Sequence, residues 1–124
     1  MLELYNILKN DQQLSTLLGA SLTDSKIYPY KNENGDKCIT YNYITLTSDK
    51  IKEQVRYEVR VFVIDILEGQ QILKRVKDIL LTLGDNQLTN EIIEVNVNGG
   101  ITPLFDKDTG LYTIGLFFSL IKKY

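Results

Sequence analysis

Few residues of this sequence could do chemistry, and they lack the partners that catalysis needs. The 124 residues contain no histidine, the commonest general base near neutral pH and the commonest metal ligand. Cys38 is the single cysteine, and no histidine is present to activate it as a nucleophile. No glycine-rich segment has the spacing of a phosphate-binding loop. We therefore expect no enzymatic activity and no cofactor.

The best cluster of carboxylates is Asp106 and Asp108 in the segment DKDTG. Aspartates at this spacing also open calcium-binding loops, but those loops need further oxygen ligands and a terminal glutamate. Here a hydrophobic strand pattern begins at Leu111 instead. We predict an ordinary β-turn at 106–110 without a metal. Cys38 lies in a strand pattern and is expected to serve as a small buried apolar residue.

The charge distribution does not favour nucleic-acid binding. The net charge is −2 and the basic residues are scattered, whereas phosphate binding depends on clustered Lys and Arg. Lys74, Arg75 and Lys77 are close together, and we interpret them as a solvated helix face, with contact to a partner as the alternative. A small nucleic-acid-binding module could still use Tyr41 and Tyr43 as a stacking face.

Nothing in the sequence predicts a membrane or secreted protein. No apolar run approaches the roughly 20 residues of a membrane helix. The segment MLELYNILKND has no basic n-region and no small-residue cleavage site. We expect the protein in a cytoplasm or in a particle assembled there.

The elements are organised around residues 55–66, VRYEVRVFVIDI, which we interpret as a central strand. Because β side chains alternate, its five residues of type Val or Tyr fall on one buried face. The other face carries charged residues first and apolar residues afterwards. The charged half is Arg56, Glu58 and Arg60, and the apolar half is Phe62, Ile64 and Ile66.

A chain of 124 residues fits one domain, 1–124, with one core. Asp11 is a predicted N-cap between two short N-terminal helices, and Gly19 ends the second. After a break at 67–70, an amphipathic helix over 72–83 should end at Gly84 and cover Phe62, Ile64 and Ile66. Further strands are predicted at 26–30, 37–47, 91–97, 101–105 and 111–121. The expected fold is α+β, with a twisted, mainly antiparallel sheet.

Residues 48–53, SDKIKE, join strand 37–47 to the central strand and predict the tip of an antiparallel hairpin. Ile51 is the only apolar residue in this tip. An isolated apolar residue is common on any protein surface. The alternative is that Ile51 inserts into a partner.

Element order and sequence pattern together resemble a known family. The segments are KNDQQLSTLLG, IYPY, VRYEVRVFVID, an amphipathic helix ending in glycine, and DKDTGLYTIGLFFSL. Over nearly its full length, the chain resembles the tail-completion, or tail terminator, proteins of tailed bacteriophages and of phage-tail-like particles. No catalytic signature contributes to this resemblance.

The resemblance implies a structural protein that forms a homo-oligomeric ring, usually a hexamer, on the end of a tail tube. Such a ring ends tube polymerisation and joins the tube to the neck or head. The implied partners are copies of the chain, the tail tube protein and a neck or head-completion protein. Assembly would take place in the bacterial host cytoplasm, and the product would be a virion or a phage-tail-like particle.

The resemblance also gives the charged half of the central strand a role, because we expect these side chains to have no partner within the chain. Candidate contacts between subunits or with the tube are Asp49, Lys50, Ile51, Lys52, Glu53, Arg56, Glu58 and Arg60. A head–tail connector, that is a neck adaptor or head-completion protein, is the nearest alternative. A small-ligand domain or enzyme would need a polar pocket that the sequence does not show.

Overall fold

A computed structural model describes residues 2–21, 25–29, 37–86 and 92–123. Within these ranges, three helices and five strands follow one another. They are α1 (Leu2–Asn10), α2 (Gln12–Leu18), β1 (Ile27–Pro29), β2 (Cys38–Ser48), β3 (Lys52–Val63), α3 (Ile66–Asn86), β4 (Ile92–Asp106) and β5 (Leu111–Lys123). The predicted α+β class is confirmed.

The five strands form one sheet in the order β1-β2-β3-β5-β4. β1 pairs with β2 in parallel over three residues, and every other pairing is antiparallel. β3 is therefore the middle strand, as the sequence predicts, with β1 and β4 at the edges. The predicted edge position of the strand containing Pro103 is also correct, since proline lacks the N–H that an inner strand would need.

One face of the sheet, which we call the inner face, holds the core. On β3 it comprises Val55, Tyr57, Val59, Val61 and Val63, each at most 1% exposed. Apolar residues of all three helices pack against this face in one cluster. They include Leu8 of α1, Leu14 and Leu18 of α2, and Ile72, Val76, Ile79 and Leu80 of α3.

The junction of α1 and α2 is fixed by Asp11, which connects it to α3. The Asp11 carboxylate accepts the backbone N–H of Leu14 at 2.9 Å, so the predicted N-cap is confirmed. Arg75 donates to both carboxylate oxygens, from Nε at 3.0 Å and from a terminal nitrogen at 2.6 Å. The interpretation of Arg75 as part of a solvated face is therefore wrong. Gly19 ends α2 in the left-handed conformation, at φ 69°.

α3 begins earlier than predicted and lies on a different face. β3 ends at Val63, only Ile64 and Asp65 separate it from the helix, and the predicted break at 67–70 is wrong. A Cβ on Gly69 would lie 2.6 Å from Val63 Cγ2, so this glycine allows the helix to approach the sheet closely. The helix also continues two residues beyond Gly84.

The opposite face of the sheet is the outer face, and α3 does not cover it. On β3 it holds Gln54, Arg56, Glu58, Arg60 and Phe62, which alternate with the buried set. Phe62 is half-buried beside its buried partner Cys38, whereas Ile64 is 76% exposed. The predicted cover of Phe62 and Ile64 by the helix is therefore wrong, and Ile66 belongs to the helix itself.

β4 is one strand of 15 residues, where the sequence predicts two. Its pairing with β5 shifts in register between Val97 and Gly100 and again between Ile101 and Leu104. Gly99 has φ 122°, which suits a bulge better than a chain reversal. The glycine pair therefore bends the strand without ending it.

Candidate assembly interface

The β2–β3 hairpin extends beyond the part of the sheet that the helices cover. Its pairing runs from Cys38 and Phe62 to Ser48 and Glu53 at the tip, residues 48–53. β1 accompanies β2 only from Ile39 to Tyr41. Within the described residues, 42–48 of β2 therefore have a strand neighbour on one side alone. This segment contains no charge, proline or glycine that would protect a free edge.

The turn of the tip is held by Asp49. Its Oδ1 accepts the backbone N–H of Ile51 at 2.7 Å and that of Lys52 at 2.8 Å. The backbone donors of Lys52 and Ile51 hold the pKa of the Asp49 carboxyl below its ordinary value. Asp49 N–H also donates to the Lys52 carbonyl at 3.0 Å. These bonds fix the turn and leave the Ile51 side chain 79% exposed.

The tip is also tied to the end of β5. Ser48 Oγ lies 3.2 Å from Glu53 Oε1, and Glu53 Oε2 lies 3.8 Å from Lys122 Nζ. Ion pairs of this kind at a surface contribute at most about 1 kcal/mol, so their main effect is on geometry. They connect the tip to the end of β5.

The hairpin exposes more apolar surface than Ile51 alone. Ile44 is 60% exposed and Leu46 is 51% exposed, and Tyr43 lies at the margin of the same region. A register shift between Thr45 and Thr47 places Leu46 in a β-bulge. We call Tyr43, Ile44, Leu46 and Ile51 the hairpin patch. Tyr43 lies on the inner face, level with Tyr57, and Ile44 lies on the outer face, level with Arg56, so the patch surrounds the end of the hairpin. Clustered apolar exposure at one end of a protein is a feature of interaction surfaces.

The charged residues of the outer face have partners within the chain, which corrects the expectation from the sequence. Arg60 Nε makes a short ion pair with Glu58 Oε1. The Arg56 guanidinium lies over the ring of Phe117, 4.2 Å from its centroid. A cation–π contact at an exposed site stabilises by roughly 0.5 to 1 kcal/mol. Arg56, Glu58 and Arg60 therefore each make a contact within the chain.

A second exposed apolar region, which the sequence patterns do not indicate, lies at the opposite end of the sheet. It comprises Ile64, Leu67, Leu104 and Phe105, which we call the far-end patch. β-sheet register places Leu104 level with Phe62, and Phe105 level with Val63. The ring of Phe105 lies 4.9 Å from that of Tyr112 between centroids, which orders it at the edge.

The candidate sites for other chemistry have structural roles. Asp106 Oδ1 accepts the N–H of Asp108 at 2.9 Å, and Gly110 N–H donates to the Asp106 carbonyl at 2.8 Å, so the predicted turn is confirmed. Cys38 is fully buried, as predicted. The part of the chain that the structure describes holds no group of three potential His, Cys, Asp or Glu metal ligands.

The tyrosines proposed as a nucleic-acid stacking face do not form one. The ring of Tyr41 lies between Tyr57, at 5.9 Å, and Tyr5, at 6.0 Å, on the helix-covered side of the sheet. Tyr43 belongs to the hairpin patch. Tyr5 and Tyr41 instead line an open groove of about 760 Å³ beside β1. Lys9 is the one charged residue in its described lining.

No described helix has the combination of length and apolarity needed to cross a bilayer. No protein-family model matches the sequence, and a search of the curated proteins gives no match. Among solved structures, the fold is similar to a chain in the "Virion of native gene transfer agent (GTA) particle". The TM-score is 0.71 and the identity 12%, over 98% of this chain and 92% of that chain. At this identity the likeness shows a shared fold over nearly the whole of both chains.

Proposed function

We propose that this chain is a structural protein of a phage-like particle. The observation that carries the proposal is the likeness of its fold, over nearly the full length of both chains, to a chain of a gene transfer agent virion. The exposed hairpin adds support, because apolar side chains on a fixed turn suit a repeated protein contact better than a free surface.

More specifically, we infer that residues 1–124 act as one tail-terminator-like domain that forms a ring, usually a hexamer. The ring caps the tail tube, ends its polymerisation and connects it to the neck or head. Its partners are then copies of the chain, the tube protein and a neck or head-completion protein. Assembly takes place in the host cytoplasm, and the net charge of −2 suits a channel that lets DNA pass without retaining it.

The hairpin tip and the charged outer face are the proposed contacts of this ring. Ile51 supplies apolar area at the tip, and Asp49, Lys50, Lys52 and Glu53 surround it with both signs of charge. Such mixed charge fixes register and partner choice more than it adds affinity. The ion pair and the cation–π contact of the outer face favour one arrangement of its arginines before assembly, which reduces the entropy lost on binding.

The test is native mass spectrometry and electron microscopy of the purified chain, alone and with tube protein. We expect rings, and tubes whose growth stops when the protein is added. A chain that stays monomeric and leaves tube length unchanged would contradict the proposal. A ring that binds a head-side protein but does not stop tube growth would assign the chain as a head–tail connector instead.

Ile51→Asp and Lys77→Glu form a matched pair for this test. Both positions are exposed, and Lys77 lies on α3 away from the hairpin. Ile51→Asp should abolish ring formation and tube capping, whereas Lys77→Glu should leave both unchanged. Equal behaviour of the two variants would remove the hairpin tip from the proposed interface.

A further inference from the structure

We propose that subunits associate head to tail, with the hairpin patch of one copy seated on the far-end patch of the next. This inference rests on the proposed ring and names the two surfaces that meet in it. Eight of the nine large apolar side chains exposed among the described residues belong to these two patches. The ninth, Val97, lies on β4 between them.

The two patches cannot cover each other within one chain. Leu104 is level with Phe62, about ten residues along β3 from Lys52. At roughly 3.3 Å per residue this places the tip about 33 Å from the level of Leu104, and Tyr43, which is level with Tyr57, about 17 Å from it. Only another molecule could therefore bring the two patches into contact.

The charges around the patches are complementary, which favours a second copy as the occupant. Cations are in excess among the described charged residues around the hairpin patch: Lys50, Lys52, Arg56 and Lys122, against Asp49 and Glu53. Anions are in excess around the far-end patch: Asp65, Glu68, Asp106 and Asp108, against Lys37 and Lys107. Opposite potentials on apolar surfaces favour contact between unlike patches and oppose contact between like ones.

Head-to-tail contact has a consequence for symmetry. Two different patches form a heterologous interface, which generates a closed ring when the rotation between subunits closes. Pairing of like patches would instead give two-fold dimers that stop at two chains. A head-to-tail contact is therefore compatible with the proposed ring, and a rotation that does not close would give a filament instead.

Intermolecular disulfide trapping tests the contact directly. In a Cys38→Ala background, protein with Ile51→Cys is mixed with protein carrying Leu104→Cys and oxidised gently. We expect heterodimers that link the two different chains, because cysteines cross-link only when their Cα atoms approach within about 7 Å. Lys77→Cys replaces Leu104→Cys in the control and should not cross-link to Ile51→Cys.

A charge exchange gives a second readout. Lys50→Asp and Asp108→Lys should each weaken self-association about tenfold, and together they should restore it to within about threefold. Rings that form without the 51–104 cross-link and without restoration would overturn the head-to-tail contact but leave the proposed function standing. Cross-linked rings that do not stop tube growth would support the contact and overturn the function. A chain that never self-associates would overturn both.

Discussion

β2 and β3 build two regions that use apolar side chains in opposite ways. At Ile39 and Val59 the strands are completely buried under the helices, whereas Ile44 on the same β2 is 60% exposed. Burying one such side chain stabilises the folded state by roughly 1.5 to 3 kcal/mol. The inner face therefore accounts for folding, and the hairpin adds little to the stability of an isolated chain. Mutations of the inner face should therefore impair folding, whereas mutations of the exposed hairpin should impair assembly.

The largest effect is expected from a charge in the helix-covered region. Leu80 is fully buried on α3, so Leu80→Asp places a carboxylate where no solvent reaches it. The loss should exceed about 4 kcal/mol, which is most of the stability of a domain at the lower end of the usual range of about 5 to 15 kcal/mol. Circular dichroism and thermal melting measure it. A variant with an unchanged melting temperature would show that this face of α3 does not lie in the core.

The close approach of α3 to the sheet gives the next effect. Gly69→Ala should destabilise by about 1 to 3 kcal/mol, although alanine favours a helix, because its Cβ would meet Val63 Cγ2 at 2.6 Å and Ile114 Cδ1 at 3.0 Å. Denaturant unfolding measures the free energy. In a Val63→Ala background the same change should become neutral or stabilising. A stabilising Gly69→Ala in the natural sequence would mean that α3 lies further from β3.

Each region contains an arginine ion pair, and removing the two pairs in turn compares the helix-covered region with the outer face. Arg75→Gln removes both hydrogen bonds that connect α3 to Asp11, at the junction of α1 and α2, and should cost about 1 kcal/mol. Arg60→Gln removes the pair with Glu58 on the outer face, where the Arg60 side chain is 45% exposed, and should change stability by less than about 0.5 kcal/mol. If the two variants lost equal free energy of unfolding in denaturant, the proposed separation of folding from assembly would be contradicted. Native mass spectrometry should reverse the order, with ring formation impaired only by Arg60→Gln.

The Asp11 pair also predicts a pH dependence. The hydrogen bonds from Arg75 lower the pKa of the Asp11 carboxyl in the folded chain, against the opposing effect of partial burial. Its contribution to stability is therefore present above the unfolded pKa of about 4 and is lost as pH falls through the lower folded value. Between pH 5 and pH 2, as a rough range, the natural chain should lose more stability than Arg75→Gln. Parallel pH profiles of the two proteins would disprove the coupling.

Local patterns predicted most of the folding region. The two-residue period of β3 and the helical stripe on α3 are properties of neighbouring residues, so the central strand and the helix followed from the sequence. The start of α3 does not follow from the sequence, because a glycine at position 69 is typical of a break between two elements. A glycine is needed there because the helix contacts Val63 closely, and only the folded structure brings these two residues together.

The candidate interface is less completely predicted from the sequence, because its features depend on register and on distant contacts. The position of Arg56 over Phe117 follows from the β3–β5 register, which a single strand sequence does not contain. Arg75 and Asp11 are 64 residues apart. Ile64 continues the alternation of β3 and so was assigned to the core, although the strand ends before it. The far-end patch was missed for the same reason.

The central claim is that the hairpin serves assembly and not folding. The most direct test measures native mass and melting temperature together, on the natural chain and on Ile51→Asp. The account predicts rings for the natural chain, and a monomeric Ile51→Asp protein with a melting temperature within about 2 °C of the natural value. An Ile51→Asp protein that still forms rings, or one that unfolds, would contradict it.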